Sequence, residues 1–197
     1  MTRQNRVFPD GTITAHPARG LFMGNRGCLH DDAGRIVRRW QGRRWITCLT
    51  EFRGRRRALM APGRYTELFF MDEAVAAAAG HRPCAECRRE AFRAFRTAWE
   101  GAHGPVRGVD AIDRPLHAAR LAGPWRAQAE SLPERVFIFW QETPHLLLGE
   151  GLRRWSPEGY GAPLPRPAGP VAVLTPAPLV AAMAAGWQVT LHPSAKA

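Results

Sequence analysis

Residues Tyr65–Arg89 read YTELFFMDEAVAAAAGHRPCAECRR, and the rest of the chain is organised around them. Thr66–Met71 is an apolar run with strand character. Asp72 is placed to accept a backbone N–H at the start of an alanine-rich helix, and Gly80 supplies the left-handed residue that ends it. Cys84 and Cys87 then form a C-x2-C knuckle, a spacing that lets two thiolates reach one metal ion. Pro83 fixes the backbone just before the first sulfur. Helical periodicity resumes after Cys87, with Ala91, Phe92, Phe95, Ala98 and Trp99 on one face. The stretch predicts strand, helix, metal knuckle and helix in that order, within an α+β fold.

The chain has 197 residues, enough to bury a real core in one or two domains, and 45% of them are hydrophobic, as in ordinary globular proteins. The N-terminus lacks an apolar signal region, and no run approaches the roughly 18 apolar residues of a membrane helix. These features predict a cytoplasmic protein. In a reducing compartment its four cysteines serve better as metal ligands than as disulfides.

Leu68-Phe69-Phe70, the helix Asp72–Ala79 and Gly80-His81-Arg82-Pro83-Cys84-Ala85-Glu86-Cys87 together resemble the second half of the Ada-type metal-binding domain of methylphosphotriester repair proteins. That family's usual form is FF, an alanine-rich helix, then GFRPCKRC. The resemblance is confined to residues 65–89 and does not reach the C-terminal half. It implies a zinc ion held by four cysteines, one of which accepts a methyl group from the DNA backbone. The family places its first two ligands upstream as C-x3-C. Here Cys48 stands in that region alone, with Phe52 at the position of its partner.

The resulting metal set is Cys28, Cys48, Cys84 and Cys87, with His81 and His30 as nitrogen alternatives to Cys28 for the fourth place. A thiolate-rich tetrahedral set points to Zn2+. Four protein ligands make such a site structural. Three leave a position at which zinc can lower the pKa of a water or present an activated thiolate, and Cys48 is then the candidate acceptor.

Leu29–Phe52 reads as a β-meander. Asp31-Asp32-Ala33-Gly34 is a turn, Arg35–Trp40 a strand, Gln41-Gly42 a hairpin turn, and Arg43–Phe52 a longer strand carrying Cys48. Pairing through those turns puts Cys28, Val37 and Ile46 side by side, with Cys28 one strand removed from Cys48. Before the meander, the two glycines of Gly24-Asn25-Arg26-Gly27 permit a tight turn and a close backbone approach. That turn is either plain or an anion cradle.

The formal net charge is +11, from 28 Lys and Arg against 17 Asp and Glu. Residues 1–100 hold 19 Arg against 10 acidic residues, so the excess is concentrated in that half. Arg38, Arg39, Arg43, Arg44, Arg55, Arg56 and Arg57 interleave with Trp40 and Trp45, a pattern suited to phosphate contacts and base stacking. The plainer alternative is a solvated face in an arginine-rich protein.

Beyond the knuckle, Cys87–His103 is a helix with an arginine stripe at Arg89, Arg93 and Arg96. Gly101–Gly108 is the best candidate boundary, dividing an arginine-rich, Ada-like domain at 1–104 from a small α+β domain at 105–197. Asp110, Asp113 and His117 share helical spacing, but Pro115 predicts a helix start near itself with Asp113 as N-cap. Strands follow at Val136–Trp140, His145–Gly149 and Val171–Leu174. Thr175 and Pro176 then open a helix that Gly186 ends, repeating the grammar of residues 67–80.

Three classes of function fit these features. The first is a zinc-stabilised protein that binds nucleic acid, DNA above all. The second is a reactive zinc-thiolate protein that accepts alkyl groups from DNA phosphotriesters. The third is a zinc-stapled module that binds a protein or small molecule.

Overall fold

The computed structural model describes residues 2–54 and 58–196, so Arg55, Arg56 and Arg57 lie outside the described residues. The N-terminal half supplies strands β1 (Gln4–Val7), β2 (Ile13–Ala15), β3 (Phe22–Asn25), β4 (Ile46–Cys48), β5 (Leu68–Phe70) and β6 (Arg82–Pro83). They form one six-stranded mixed sheet in the order β2-β1-β5-β3-β4-β6. Three helices accompany it: α1 (Glu73–Ala78), α2 (Arg89–His103) and α3 (Asp110–Ala122).

A second, wholly antiparallel sheet contains β7 (Trp125–Gln128), β8 (Phe137–Trp140), β9 (Thr143–Leu148), β10 (Gly151–Ser156), β11 (Gly159–Pro165) and β12 (Pro170–Val173). Its order is β11-β10-β9-β8-β12-β7, followed in the chain by helix α4 (Ala177–Ala184). Among the described residues no helix is long and apolar enough to cross a membrane.

The strand–helix unit forms as its residues dictate. The Asp72 carboxylate accepts from Val75 N at 2.9 Å, capping α1, and Gly80 takes φ +83° just beyond its end. Every residue of α1 is buried, which is why it is built of alanine: core surrounds it and leaves little room. Asp72 also accepts from Tyr160 Oη at 2.8 Å and His192 N at 2.9 Å, and burial raises its carboxyl above the usual range. Helix α2 buries Phe95, Ala98 and Trp99, the face its periodicity predicts. One hydrophobic cluster extends from Val7 to Ala195 and takes in residues on both sides of the Gly101–Gly108 stretch.

Several expectations are corrected. The meander does not form: Arg35–Trp40 is irregular, with a lone bridge between His30 and Ile36. Val37 N and Arg38 N both donate to the Leu29 carbonyl, and Gln41 N to that of Arg26, so this segment spends its backbone donors on loop contacts. Strand β4 pairs instead with β3, antiparallel, and with β6, parallel. Gly24 therefore lies in a strand rather than a turn, where a Cβ would overlap the Ile46 carbonyl.

Helix α3 begins at Asp110 and carries Pro115 inside it. Asp113 is not its cap but a buried partner of Arg82. The Thr175 hydroxyl accepts from Phe137 N at 2.9 Å, and the N-cap position of α4 belongs to Pro176. The two similar strand–helix units lie in different sheets, β5 in the first and β12 in the second.

Candidate metal centre

Cys48 ends β4, which is clamped from both sides. Met23 of β3 stands opposite Cys48, while Thr47 stands beside Pro83 of β6. Cys84 N donates to the Thr47 carbonyl at 2.9 Å, so the knuckle starts one residue from the strand that carries the third sulfur. Pro83 suits the outermost strand because it has no N–H to leave unpaired. Arg88 N then returns to the Cys84 carbonyl at 3.1 Å, and Glu86 N points at Cys84 Sγ at 3.4 Å.

The outcome is convergence: the sulfurs of Cys48, Cys84 and Cys87 all lie within 4.8 Å of one another. Tetrahedral thiolate zinc, with Zn–S of about 2.3 Å, needs sulfurs roughly 3.8 Å apart, so adjustment of side-chain rotamers suffices to close them on an ion. All three are free thiols rather than disulfide partners. Cys48 and Cys84 are 8% exposed, and Cys87 is half-buried. The residues present thus form a group able to hold a metal ion.

Hydrogen bonds from Cys48 and then Cys87, with backbone N–H groups beside them, pull the Cys84 thiol down. Donation to Cys84, then to Cys87, pushes Cys48 far up, and burial adds to this. For Cys87 the Cys48 contact pulls down, but Cys84 and burial outweigh it and the net direction is upward.

Two buried ion pairs brace the knuckle. Arg82 donates twice to Asp113 of α3, at 2.8 and 2.7 Å, and Arg88 donates to Glu73 of α1 at 2.6 Å. Neither pair was legible in sequence, because 31 and 15 residues separate the partners.

The other ligand candidates lie outside the group of three sulfurs. Cys28 does not join the three, and its sulfur sits 3.7 Å from the His30 carbonyl oxygen. His30 uses both ring nitrogens, toward Thr66 Oγ1 at 2.6 Å and the Ala61 carbonyl at 3.3 Å. His81 is buried between Phe70 and Trp45, where Arg26 Nε donates to its Nε2, and burial holds it neutral. Among the described residues no fourth ligand atom completes the group.

What stands before the sulfurs is space. A cleft of about 800 Å³ is lined by Cys48, Cys84 and Cys87, by Phe52, Tyr65 and Phe69, and by Glu51 and Glu67.

The arginines lie elsewhere. Arg38, Arg39, Arg43 and Arg44 are exposed on the segment between β3 and β4, as is Trp40 at 39%. Trp45 is 7% exposed and carries the guanidiniums of Arg26 and Arg120 over its ring, so it is not a stacking platform for bases. Arg44 pairs with Asp110 at 3.2 Å on the surface.

Compared with known proteins, this chain matches no family model, no curated protein and no solved structure. Its chemistry is therefore read from the site, a buried cluster of three cysteines on a strand end and a knuckle ahead of α2.

Proposed function

We propose that the protein is a zinc-thiolate protein in which Cys48, Cys84 and Cys87 hold one Zn2+ and the fourth coordination position faces the cleft. The observation that carries this reading is three sulfurs converging in the wall of a large cleft, with no fourth ligand atom among the described residues. Sites closed by four protein ligands are structural, whereas three ligands leave a place for water or substrate. Bound there, zinc supplies Lewis acidity and keeps its thiolates deprotonated and nucleophilic. Phe52, Tyr65 and Phe69 line the cleft together with Glu51, Glu67 and Arg53, whose guanidinium lies over the Phe52 ring. An acceptor role for a cysteine falls more easily on half-buried Cys87 than on Cys48.

Metal content measured on purified variants tests the assignment. Cys48→Ser, Cys84→Ser and Cys87→Ser lose the zinc, while Cys28→Ser and His81→Ala keep it. In the cobalt-substituted protein, imidazole shifts the visible bands by taking the open position. Metal loss in Cys28→Ser, or bands unmoved by any added ligand, sinks the open-site reading.

A second reading, nucleic-acid binding, is favoured by one observation. Arg38, Arg39, Trp40, Arg43 and Arg44 are all exposed on one short segment. Such a segment supplies phosphate contacts, and its affinity for a DNA duplex must fall steeply with salt as counterions are released. A salt-independent anisotropy signal, or none, rules this reading out.

A further inference from the structure

Among the described residues Arg26, Arg82 and Arg88 are buried and Arg120 is half-buried. Arg82 and Arg88 each meet a carboxylate, Asp113 and Glu73 respectively. Arg26 and Arg120 meet only neutral acceptors. Arg26 Nη1 donates to the Gly11 carbonyl at 3.0 Å and its Nε to neutral His81. Arg120 Nε and Nη1 donate to the carbonyls of Gly80 and Arg43, both at 2.8 Å. In each, Nη2 is buried and has no hydrogen-bond partner among the described residues. Arg26 is 2% exposed.

A buried cation without a counterion is costly, and an unmet donor adds to that cost. The two guanidiniums also sit over one ring, 4.3 and 4.8 Å from the centroid of Trp45. Burial is the main influence lowering both toward about 9, and each also feels another arginine, Arg39 for Arg26 and Arg82 then Arg26 for Arg120. The carboxylates within range do not cancel this. Asp113 is engaged by Arg82, and Asp10 Oδ1 accepts from Thr12.

Both arginines line the same pocket, of about 150 Å³, with Arg39 and Trp40 among its walls. Arg39 and Trp40 are exposed, and Trp40 packs edge-on against His117. Gly11 packs beside Arg26, where an added Cβ would stand in ordinary contact with Nη2, at 3.8 Å. Three arginines against Asp10 leave the pocket cationic, and Trp45 is among its lining residues.

We propose that this pocket is a binding site for a tetrahedral dianion, a phosphate or sulfate group, held by Arg26, Arg120 and Arg39. The guanidinium fork suits such an oxyanion, and three guanidiniums against one carboxylate line the pocket. The site is independent of the metal centre, since no residue lines both this pocket and the cleft before the sulfurs. It gives Arg26, just beyond β3, an anion-binding role through its side chain rather than through the backbone.

Titration calorimetry of the full-length, metal-loaded protein with inorganic phosphate at about 0.15 M salt, where exposed charges are largely screened, tests this. The expected result is one phosphate per chain, with sulfate competing. Arg120→Gln should bind it about tenfold more weakly or worse, because a charged hydrogen bond in a buried site is lost. Arg26→Met tests the deepest donor. Should it fail to fold, Arg39→Ala replaces it and should weaken binding several-fold while leaving metal content and melting temperature unchanged. No saturable binding, binding undiminished in the arginine variants, or acetate binding as tightly as phosphate overturns the proposal.

Discussion

The ion pair between Arg82 and Asp113 ties the strand beside the metal knuckle to α3, and cutting it has a magnitude the structure sets. Both side chains are almost fully buried, at 3% and 2% exposure, and two charge-assisted hydrogen bonds join them. Asp113→Ala strands the guanidinium beside the Phe92 ring, with only the Pro83 carbonyl left as an acceptor. Breaking a buried pair from one side costs about 3–5 kcal/mol. That is a large part of the roughly 5–15 kcal/mol that holds a domain folded. At about 2–4 °C per kcal/mol for a chain of this size, the melting temperature should fall by roughly 6–20 °C. Replacing both partners, as Arg82→Met with Asp113→Leu, removes the stranded charge and should recover most of the loss. Urea denaturation of the wild type, both single variants and the double variant completes the cycle. Because β6 pairs with β4, Asp113→Ala should also release zinc faster to a chelator. A loss under about 1 kcal/mol in Asp113→Ala, or a double variant as unstable as the singles, refutes the reasoning.

Zinc affinity should rise with pH. The mutual hydrogen bonds and burial push the Cys48 and Cys87 thiols up, so metal binding must displace their protons and tightens as pH rises. A competition titration at several pH values checks the slope. Gly24→Ala should push β3 away from β4, since the new methyl meets the Ile46 carbonyl and stands 2.9 Å from the Phe70 ring. Lower stability and lower zinc content should appear together, and a variant with wild-type values of both contradicts the packing. Asp72→Ala removes the α1 cap and leaves Tyr160 Oη and His192 N without their acceptor, a loss of about 3 kcal/mol or more by chemical denaturation.

Features written in consecutive residues were legible. The Asp72 cap, the short alanine helix, Gly80 beyond its end, the C-x2-C knuckle and the apolar face of α2 each depend on side chains within a turn or two of one another. The strands at 137–140 and 170–173 were legible as well, as apolar runs bounded by turn residues. Strand partners were not. A glycine such as Gly24 looks like punctuation from its neighbours, yet it lets two strands approach, and only the opposing Ile46 carbonyl reveals that. Pro115 looked like a helix start, but α3 begins at Asp110, and Asp113 is spent on the distant Arg82 rather than on a cap.

The sequence by itself determined the α+β class and the C-x2-C knuckle, because helix caps, turns and ligand spacing are local properties of the chain. Tertiary structure alone decided that Cys48 closes on the knuckle while Cys28 turns away, and that Arg26 and Arg120 share a ring without a counterion. The physical reason is the same in each case. Sulfurs and guanidiniums act over a few ångströms, and residues 36 to 94 positions apart come within that reach only when sheet register and core packing bring them there.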